Sequence, residues 1–459
     1  MSDKKKASIN IDSLVFPSST FLEWTLFVFL SLFYICIAFS LGLGTYDGGP
    51  DELMRSLIPR CIINGNLLPS GYDNCAIFHL GNWSYAFYPQ MIAGYLSAFF
   101  MFVAMKLGAG ASYIYMSGRL ASVVFGLITV FAVSRIVGII FSNRKNQFIL
   151  RCFSIIFLGF WPQFAFLSSY MNNDIAAICG VSILLYALTS GIRDGWKTRN
   201  SVVLSLGVSL AGLGYWNSYG FILIAIVLFI VTVCLQYHTD KYRIFNLIGI
   251  ASGISAILVL PWFLLNLVRY HELTGMSAFH ERYVEWLQNG GRVLQNAYTQ
   301  GIGSLLFDTN YIQDTLQSFI GRLGYMAIPM PFIFVLGYYL LIGVGIGMML
   351  GHIRERWASY HFRMITVGVV IASLITIFLS MYYSTRIDYQ PQGRYIIYIL
   401  LPIVLMIIIG IGDSFELNSI SEISVFLVVI LLYVGVCIGF FYISSIRYDW
   451  SGVAWQGAL

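Results

Sequence analysis

Long apolar runs, one after another, leave this chain few choices of fold. About twenty consecutive apolar residues let a helix cross the ~30 Å hydrocarbon core of a bilayer. Runs near that length occupy 21–44, 118–141, 148–170, 175–190, 201–217, 219–236, 245–268, 331–350, 364–383, 394–411 and 423–446. Of the 459 residues, 58% are hydrophobic and only 10% are charged. A soluble chain carries roughly a quarter charged residues. Mean hydropathy is +0.78, and the period-two alternation of an outer-membrane barrel is absent. The sequence predicts an all-α polytopic membrane protein of about eleven spans, within a range of roughly 10–13. Residues 1–459 read as one integral membrane domain.

The charges set the topology. One further run, 88–107, is ambiguous by length alone. If it does not cross, one membrane face collects every dense basic cluster: Lys4–Lys6, Arg144 with Lys145, Arg193 with Lys197 and Arg199, Lys241 with Arg243, and Arg354 with Arg356. Cytoplasmic loops carry such an excess. If the run does cross, most of the clusters move outside. Residues 88–107 are therefore expected to hug or re-enter the membrane, with the N-terminus inside and the C-terminus outside. Two large outer segments result, 45–117 and 269–330. The second has a helical period, placing Phe279, Tyr283, Trp286, Val293 and Leu294 on one side, with a break at "NGG" (289–291). The net charge of +5 belongs to the basic loops and gives no reason to expect nucleic acid. No cleavable signal is evident, and no inverted repeat of the transporter type is found. The seven cysteines lack metal-type spacing. Cys36, Cys152, Cys179, Cys234 and Cys437 read as small core residues. Cys61 and Cys75 share a polar segment that would allow a disulfide if it faces an oxidising compartment.

The stretch "DGGPDELMRSLIPR" (47–60) spends three acids, Asp47, Asp51 and Glu52, beside the end of the first span. Gly48 and Gly49 stop that helix, and Pro50 suits the first position of a new one. Asp51 and Glu52 would then complement its dipole. That reading leaves Asp47 unexplained, and also the location at the mouth of the membrane. A carboxylate there can serve as general base on a hydroxyl, and two can hold a divalent cation. Asp174, in "SSYMNNDIAA", is either an N-cap or a second carboxylate on the same face. In "STRIDYQPQGRYIIY", Arg386 and Arg394 flank a short outer loop. Their guanidinium forks suit phosphate, and Gly393 would let the backbone approach a ligand. The alternative for Arg394 is an interfacial anchor beside Tyr395. Arg55 follows Asp51 at the spacing of a helix-surface pair, and His79 is a single outer histidine. No Walker loop, HExxH or GxSxG is present, so ATP-driven chemistry lacks a site.

"PDELMRSLIPRCIINGNLLP" (50–69) resembles the first outer loop of GT-C glycosyltransferases, the protein O-mannosyltransferase and aminoarabinose transferase group. "YMSGRLASVVFGLITVFAVSRIVG" (115–138) looks like their next helix. "WPQFAFLSSYMNNDIAAI" (161–178) is similar to a segment of related bacterial membrane proteins, and "QPQGRYIIYILLPI" (390–403) to a late Gly-Arg-Tyr helix start. The likeness covers the first 190 residues and the patch near 390–403. It departs where the protein transferases carry a "PPL" stretch and this chain has "FYPQM". The resemblance implies a GT-C-like architecture with amphipathic helices on the outer face. It also implies transfer of a sugar from a polyprenyl-phosphate donor to an acceptor hydroxyl, usually with inversion.

Carried over, Asp51 is the candidate base, with Glu52 and Asp174 supporting it or a metal, and Arg394 takes the lipid phosphate. Asp47 has no clear counterpart and stays open as the base. The chain's size and lack of an added soluble domain resemble the serotype-converting glucosyltransferases of phage operons. That likeness implies an O-antigen, lipopolysaccharide or other cell-envelope glycan acceptor, a glucosyl group, and a bacterial inner membrane with the site facing the periplasm. No cofactor is required by the sequence; Mg or Mn, if used, would sit on Asp51 and Asp174. A lipid-linked-sugar flippase and a polysaccharide polymerase or ligase are the alternatives. A transporter would bury charges at mid-membrane, whereas here they lie at the outer mouths.

Overall fold

The computed structural model describes residues 19–40, 48–78, 83–88, 91–145, 147–289, 301–417 and 420–447. Helices follow in the order α1 (Ser19–Ser40), α2 (Glu52–Ile63), α3 (Met91–Lys106), α4 (Ala111–Ser117), α5 (Leu120–Ile140), α6 (Gln147–Gly159), α7 (Pro162–Leu167), α8 (Asp174–Asp194), α9 (Thr198–Gly212), α10 (Tyr219–Gln236) and α11 (Lys241–Tyr270). After them come α12 (Met276–Gln288), α13 (Ile302–Leu305) and α14 (Thr309–Ile320), then a two-stranded antiparallel pair, β1 (Arg322–Leu323) with β2 (Ile328–Pro329). The chain closes with α15 (Phe332–Gly351), α16 (Ile353–Trp357), α17 (Tyr360–Arg386), α18 (Leu400–Ser414) and α19 (Ile420–Arg447).

Nine helical stretches among the described residues are long and apolar enough to cross a membrane. Two of the expected runs take another form. Residues 148–170 break into α6 and α7, because Pro162 occupies the first turn of α7 and disfavours helical backbone in the residue before it. Trp161 accordingly sits at φ −73°, ψ 118°, and its indole donates to Phe319 O at 2.8 Å. The run at 201–217 is covered only in part by the 15-residue α9, which stops at Gly212. The ambiguous run is the 16-residue α3. At about 24 Å it falls short of the hydrocarbon core, and it packs against α2.

α8 is the axis of the bundle. Of its span, 89% is buried within the protein, as befits a helix that is apolar on every side. It packs against α5, α9, α10 and α17. Contact with α9 is close enough that a Cβ at Gly180 would stand 2.4 Å from Ala211 N, the small-residue packing typical of membrane helices. Cys152, Cys179 and Cys437 are buried as expected, but Cys36 and Cys234 point outward. Both lie on helices with one face open to lipid, where a small apolar side chain is tolerated.

α2, α3 and α12 sit at one end of the bundle. Cys61, near the end of α2, is joined to Cys75 in a disulfide. Trp83 meets Phe279, Tyr283 and Trp286 of α12 at ring-centroid separations of 5.7, 5.8 and 6.2 Å. The aromatic face expected of 269–330 therefore clamps the two large segments together. Val293 and Leu294 lie outside the described residues.

Candidate functional site

Glu52 opens α2 and is fully buried. Four donors meet its carboxylate: Gly48 N at 2.8 Å, Met171 N at 3.1 Å, and Arg119 through Nε at 2.7 Å and Nη2 at 2.9 Å. Those bonds fill the lone-pair sites of a carboxylate. Arg119, equally buried, also donates from Nη1 to Ala38 O at 2.7 Å. The pair ties α1, α2 and α5 to the turn before α8. Sequence reading passed over Arg119, although an arginine at the mouth of an apolar span is costly unless paired.

Asp51 has a different environment. The helix starts at Glu52, so Pro50 is not its first residue. Asp51 takes the N-cap position with left-handed backbone, φ 64° and ψ 8°, and its side chain makes no capping bond. Such a conformation costs a non-glycine residue about 1–2 kcal/mol; Asp and Asn bear it best. The carboxylate, 23% exposed, lies 3.4 Å from Arg394 Nη2 and 4.0 Å from Arg55 Nη2. The chain reaches this place only because residue 49 is glycine: a Cβ there would stand 2.3 Å from the Tyr170 ring.

Arg394 is the second residue of the 3-10 turn Gly393–Ile399 that leads into α18. Its Nη2 donates to Asp51 Oδ2 and, at 3.3 Å, to Tyr395 Oη. Its Nε and Nη1 are buried without a hydrogen-bond partner. Gly393 does not serve ligand approach as expected. Its N–H donates to Ser318 Oγ at 2.7 Å, and a Cβ would stand 2.2 Å from Phe319 N. The glycine is there so that the turn can lie against α14.

Asp174 is the first residue of α8 and 1% exposed. The N-cap reading fails for it: Asn172 Oδ1 accepts from Ile175 N at 2.9 Å and does that work. Asp174 Oδ1 has no partner, and neither do the buried hydroxyls of Tyr170 and Tyr398. Asp174 feels the charges of Arg394, Arg55 and Asp51, so the four form one cluster. The Arg55 guanidinium stacks on Tyr85, 4.8 Å from the ring centroid. Burial pushes the Tyr85 phenol well above its ordinary pKa, keeping it a neutral donor.

The structure thus brings Asp51, Arg55, Asp174 and Arg394 together and gives Glu52 a supporting place. Arg386 ends α17 exposed, and no contact joins it to the cluster among the described residues. Asp47 and His79 lie outside the described residues. Tyr170 and Tyr398 were missed by sequence reading, since nothing distinguishes a site tyrosine among 30. Among the described residues no three His, Cys, Asp or Glu gather into a metal site.

No protein-family model and no curated protein sequence matches the chain. Solved structures do. ArnT from Cupriavidus metallidurans bound to undecaprenyl phosphate superposes with a TM-score of 0.52 at 15% identity, over 90% of this chain and 64% of ArnT. The apo state of ArnT gives 0.51 at 15% identity, over 86% and 60%. Archaeal oligosaccharyltransferase AglB from Archaeoglobus fulgidus, in complex with an inhibitory peptide and a dolichol-phosphate, gives 0.49 at 12% identity, over 93% and 56%. The chain spans less than two thirds of ArnT, at 64%. The fold shared with ArnT is in line with the architecture that the motif resemblance implies.

Proposed function

We propose that this protein is a membrane glycosyltransferase that moves a sugar from a polyprenyl-phosphate donor to an acceptor hydroxyl. The observation that carries the reading is the Arg394–Asp51 pair. One guanidinium holds a partly exposed carboxylate through Nη2 while two buried donors, Nε and Nη1, stand unmet beside it. Separate oxygens of a bound phosphate-sugar would satisfy these donors, and a buried donor left unsatisfied costs about 1–3 kcal/mol.

In the reaction, Asp51 takes the proton of the acceptor hydroxyl. The hydroxyl oxygen attacks the anomeric carbon from the face opposite the phosphate. The bond between that carbon and the phosphate oxygen breaks, and the polyprenyl phosphate leaves with the electron pair. Arg394, with Arg55, stabilises the charge that develops on the leaving phosphate. Asp174 and the hydroxyls of Tyr170 and Tyr398 orient sugar or phosphate oxygens. Glu52 positions Asp51 by holding the start of α2. Arg386 and His79 remain our candidates for the acceptor rim, and Asp47 for a second base.

The residues present do not fit a divalent cation between Asp51 and Asp174. Two guanidiniums already face Asp51, and a cation there would meet like charge. We assign the site to the outer face of a bacterial inner membrane, with a hexose donor and an O-antigen or other cell-envelope glycan as acceptor. Two features support that orientation: the Cys61–Cys75 disulfide, which needs an oxidising compartment, and the basic clusters at the opposite end.

The test is sugar transfer by protein purified in detergent, using polyprenyl-phosphate-hexose and a lipopolysaccharide acceptor. Asp51→Asn should lower kcat by about 10²–10⁴-fold, the range of a lost general base, and leave the protein folded, because Asn tolerates the left-handed backbone. Arg394→Gln should act mainly on donor use. Equal activity of Asp51→Asn and wild type would remove Asp51 as the base. If wild type transfers no sugar from any donor, the transferase reading fails, and lipid-linked-sugar flipping in liposomes is then measured.

A further inference from the structure

The end of the bundle remote from Asp51 carries a second gathering of charge. α8 runs about 30 Å from Asp174 to Asp194, so Arg193 lies one hydrocarbon thickness from the proposed reaction centre. There α5, α6 and α8 border an open pocket of about 300 Å³ lined by Arg135, Arg151, Arg193, Ser142, Gln147 and Tyr186. Arg135 and Arg151 share one carboxylate. Glu23, buried in α1, accepts from Arg151 Nη2 and, at 3.5 Å, from Arg135 Nη2. Arg193 donates to Ser142 Oγ, and its Nε lies 3.8 Å from the exposed carboxylate of Asp194. Three guanidiniums face one buried and one exposed carboxylate, which leaves positive charge in excess. The Nε–H groups of Arg135 and Arg151 are buried with no hydrogen-bond partner. Two buried donors left unmet on cations that share one carboxylate are costly.

A second cavity of about 270 Å³ adjoins the first. It shares Arg193 and is lined largely by apolar side chains, among them Ile140, Met349, Phe362, Leu405 and Met406. Arg356 at its edge is already neutralised, donating through Nε to Asp413 Oδ2 at 2.8 Å and through Nη2 to Oδ1. Positive charge is therefore left unmet on the Arg135–Arg151–Arg193 side, and apolar volume is left open on the other.

We propose that this end of the protein binds an anionic phospholipid. Arg135, Arg151 and Arg193 hold the headgroup phosphate, and an acyl chain enters the apolar cavity. Guanidinium forks match phosphate oxygens. The location at the end of a span, with apolar volume alongside, favours a lipid over soluble phosphate. The site is independent of sugar transfer, so it stands or falls apart from the proposed activity.

The full chain is exchanged into nanodiscs of phosphatidylcholine with and without phosphatidylglycerol. Retained lipid is counted by native mass spectrometry, and thermal stability is read in parallel. A further arm adds inorganic phosphate to the protein in detergent. The expected result is phosphatidylglycerol retained through delipidation, with a higher Tm than in phosphatidylcholine alone. Arg193→Gln leaves the Glu23 pairs intact and should weaken retention about tenfold, the size of one charge-assisted contact. The double variant Arg135→Lys/Arg151→Lys keeps the positive charge beside Glu23 but loses the Nε–H donors, and should weaken it similarly. No preference of wild type for phosphatidylglycerol, or undiminished retention by both variants, overturns the proposal. Equal stabilisation by inorganic phosphate alone overturns the lipid assignment and leaves a free-anion site.

Discussion

Asp51 and Glu52 are adjacent acids whose surroundings divide their roles. Glu52 is held by four donors in a dry ion pair, while Asp51 stands partly open between two arginines. Removing one partner of a buried pair leaves the other charge uncompensated and costs about 3–5 kcal/mol. Glu52→Ala should therefore lower the yield of folded protein and its Tm sharply, whereas Asp51→Asn should change neither. Thermal melts of the two variants side by side check this; equal melts would mean that Glu52 does not hold the start of α2. Both acids were legible in the sequence as candidates, but their division was not. It depends on Arg119, 67 residues away, and on a left-handed backbone at Asp51 that an N-terminal helix pattern does not signal. Asp174 carries the same lesson. Its place at a helix start was clear, but that Asn172 takes over the capping depends on the fold of the turn.

At the scale of elements, the spans were the most legible feature, because twenty apolar residues in a row have few alternatives to a membrane helix. The two runs that came out short, α6 and α9, failed for local reasons: Pro162 cuts the first, and glycines at 212 and 214 end the second. The aromatic clamp between Trp83 and α12 was half visible, since periodicity gave the face but not its partner. The Cys61–Cys75 bridge spans a separation of 14 residues. By chain entropy a loop of that size stabilises by about 3 kcal/mol. It anchors the segment between α2 and the Trp83 turn, away from the spans. Reduction should lower stability by roughly that amount while leaving the helical signal of the bundle intact. Far-UV circular dichroism with and without reductant measures both; an unchanged Tm would make the bridge dispensable.

For the whole molecule, the two ends of the bundle carry opposite endowments. One has the acid–arginine cluster and the disulfide; the other has the basic loops. The orientation proposed here puts Phe307, 85% exposed, outside and Tyr242, 81% exposed, inside. Cysteines placed at these positions in a background lacking Cys36 and Cys234 should differ in labelling by an impermeant maleimide. Phe307→Cys should react in intact cells and Tyr242→Cys only after permeabilisation; the reverse pattern inverts the protein. α8 adds a constraint of another kind. It is packed on nearly every side and runs from one charged end to the other, so it cannot tilt independently to match a thinner bilayer. Helices at the lipid boundary can tilt or let the bilayer deform around them; a central rod passes any mismatch to its termini, where Asp174 and Arg193 sit. Transfer measured in vesicles of graded acyl-chain length should therefore peak where the hydrocarbon is about 30 Å thick. It should fall on both sides of that thickness, as though the protein carried its own ruler; a flat profile would mean that the bundle adapts as a whole.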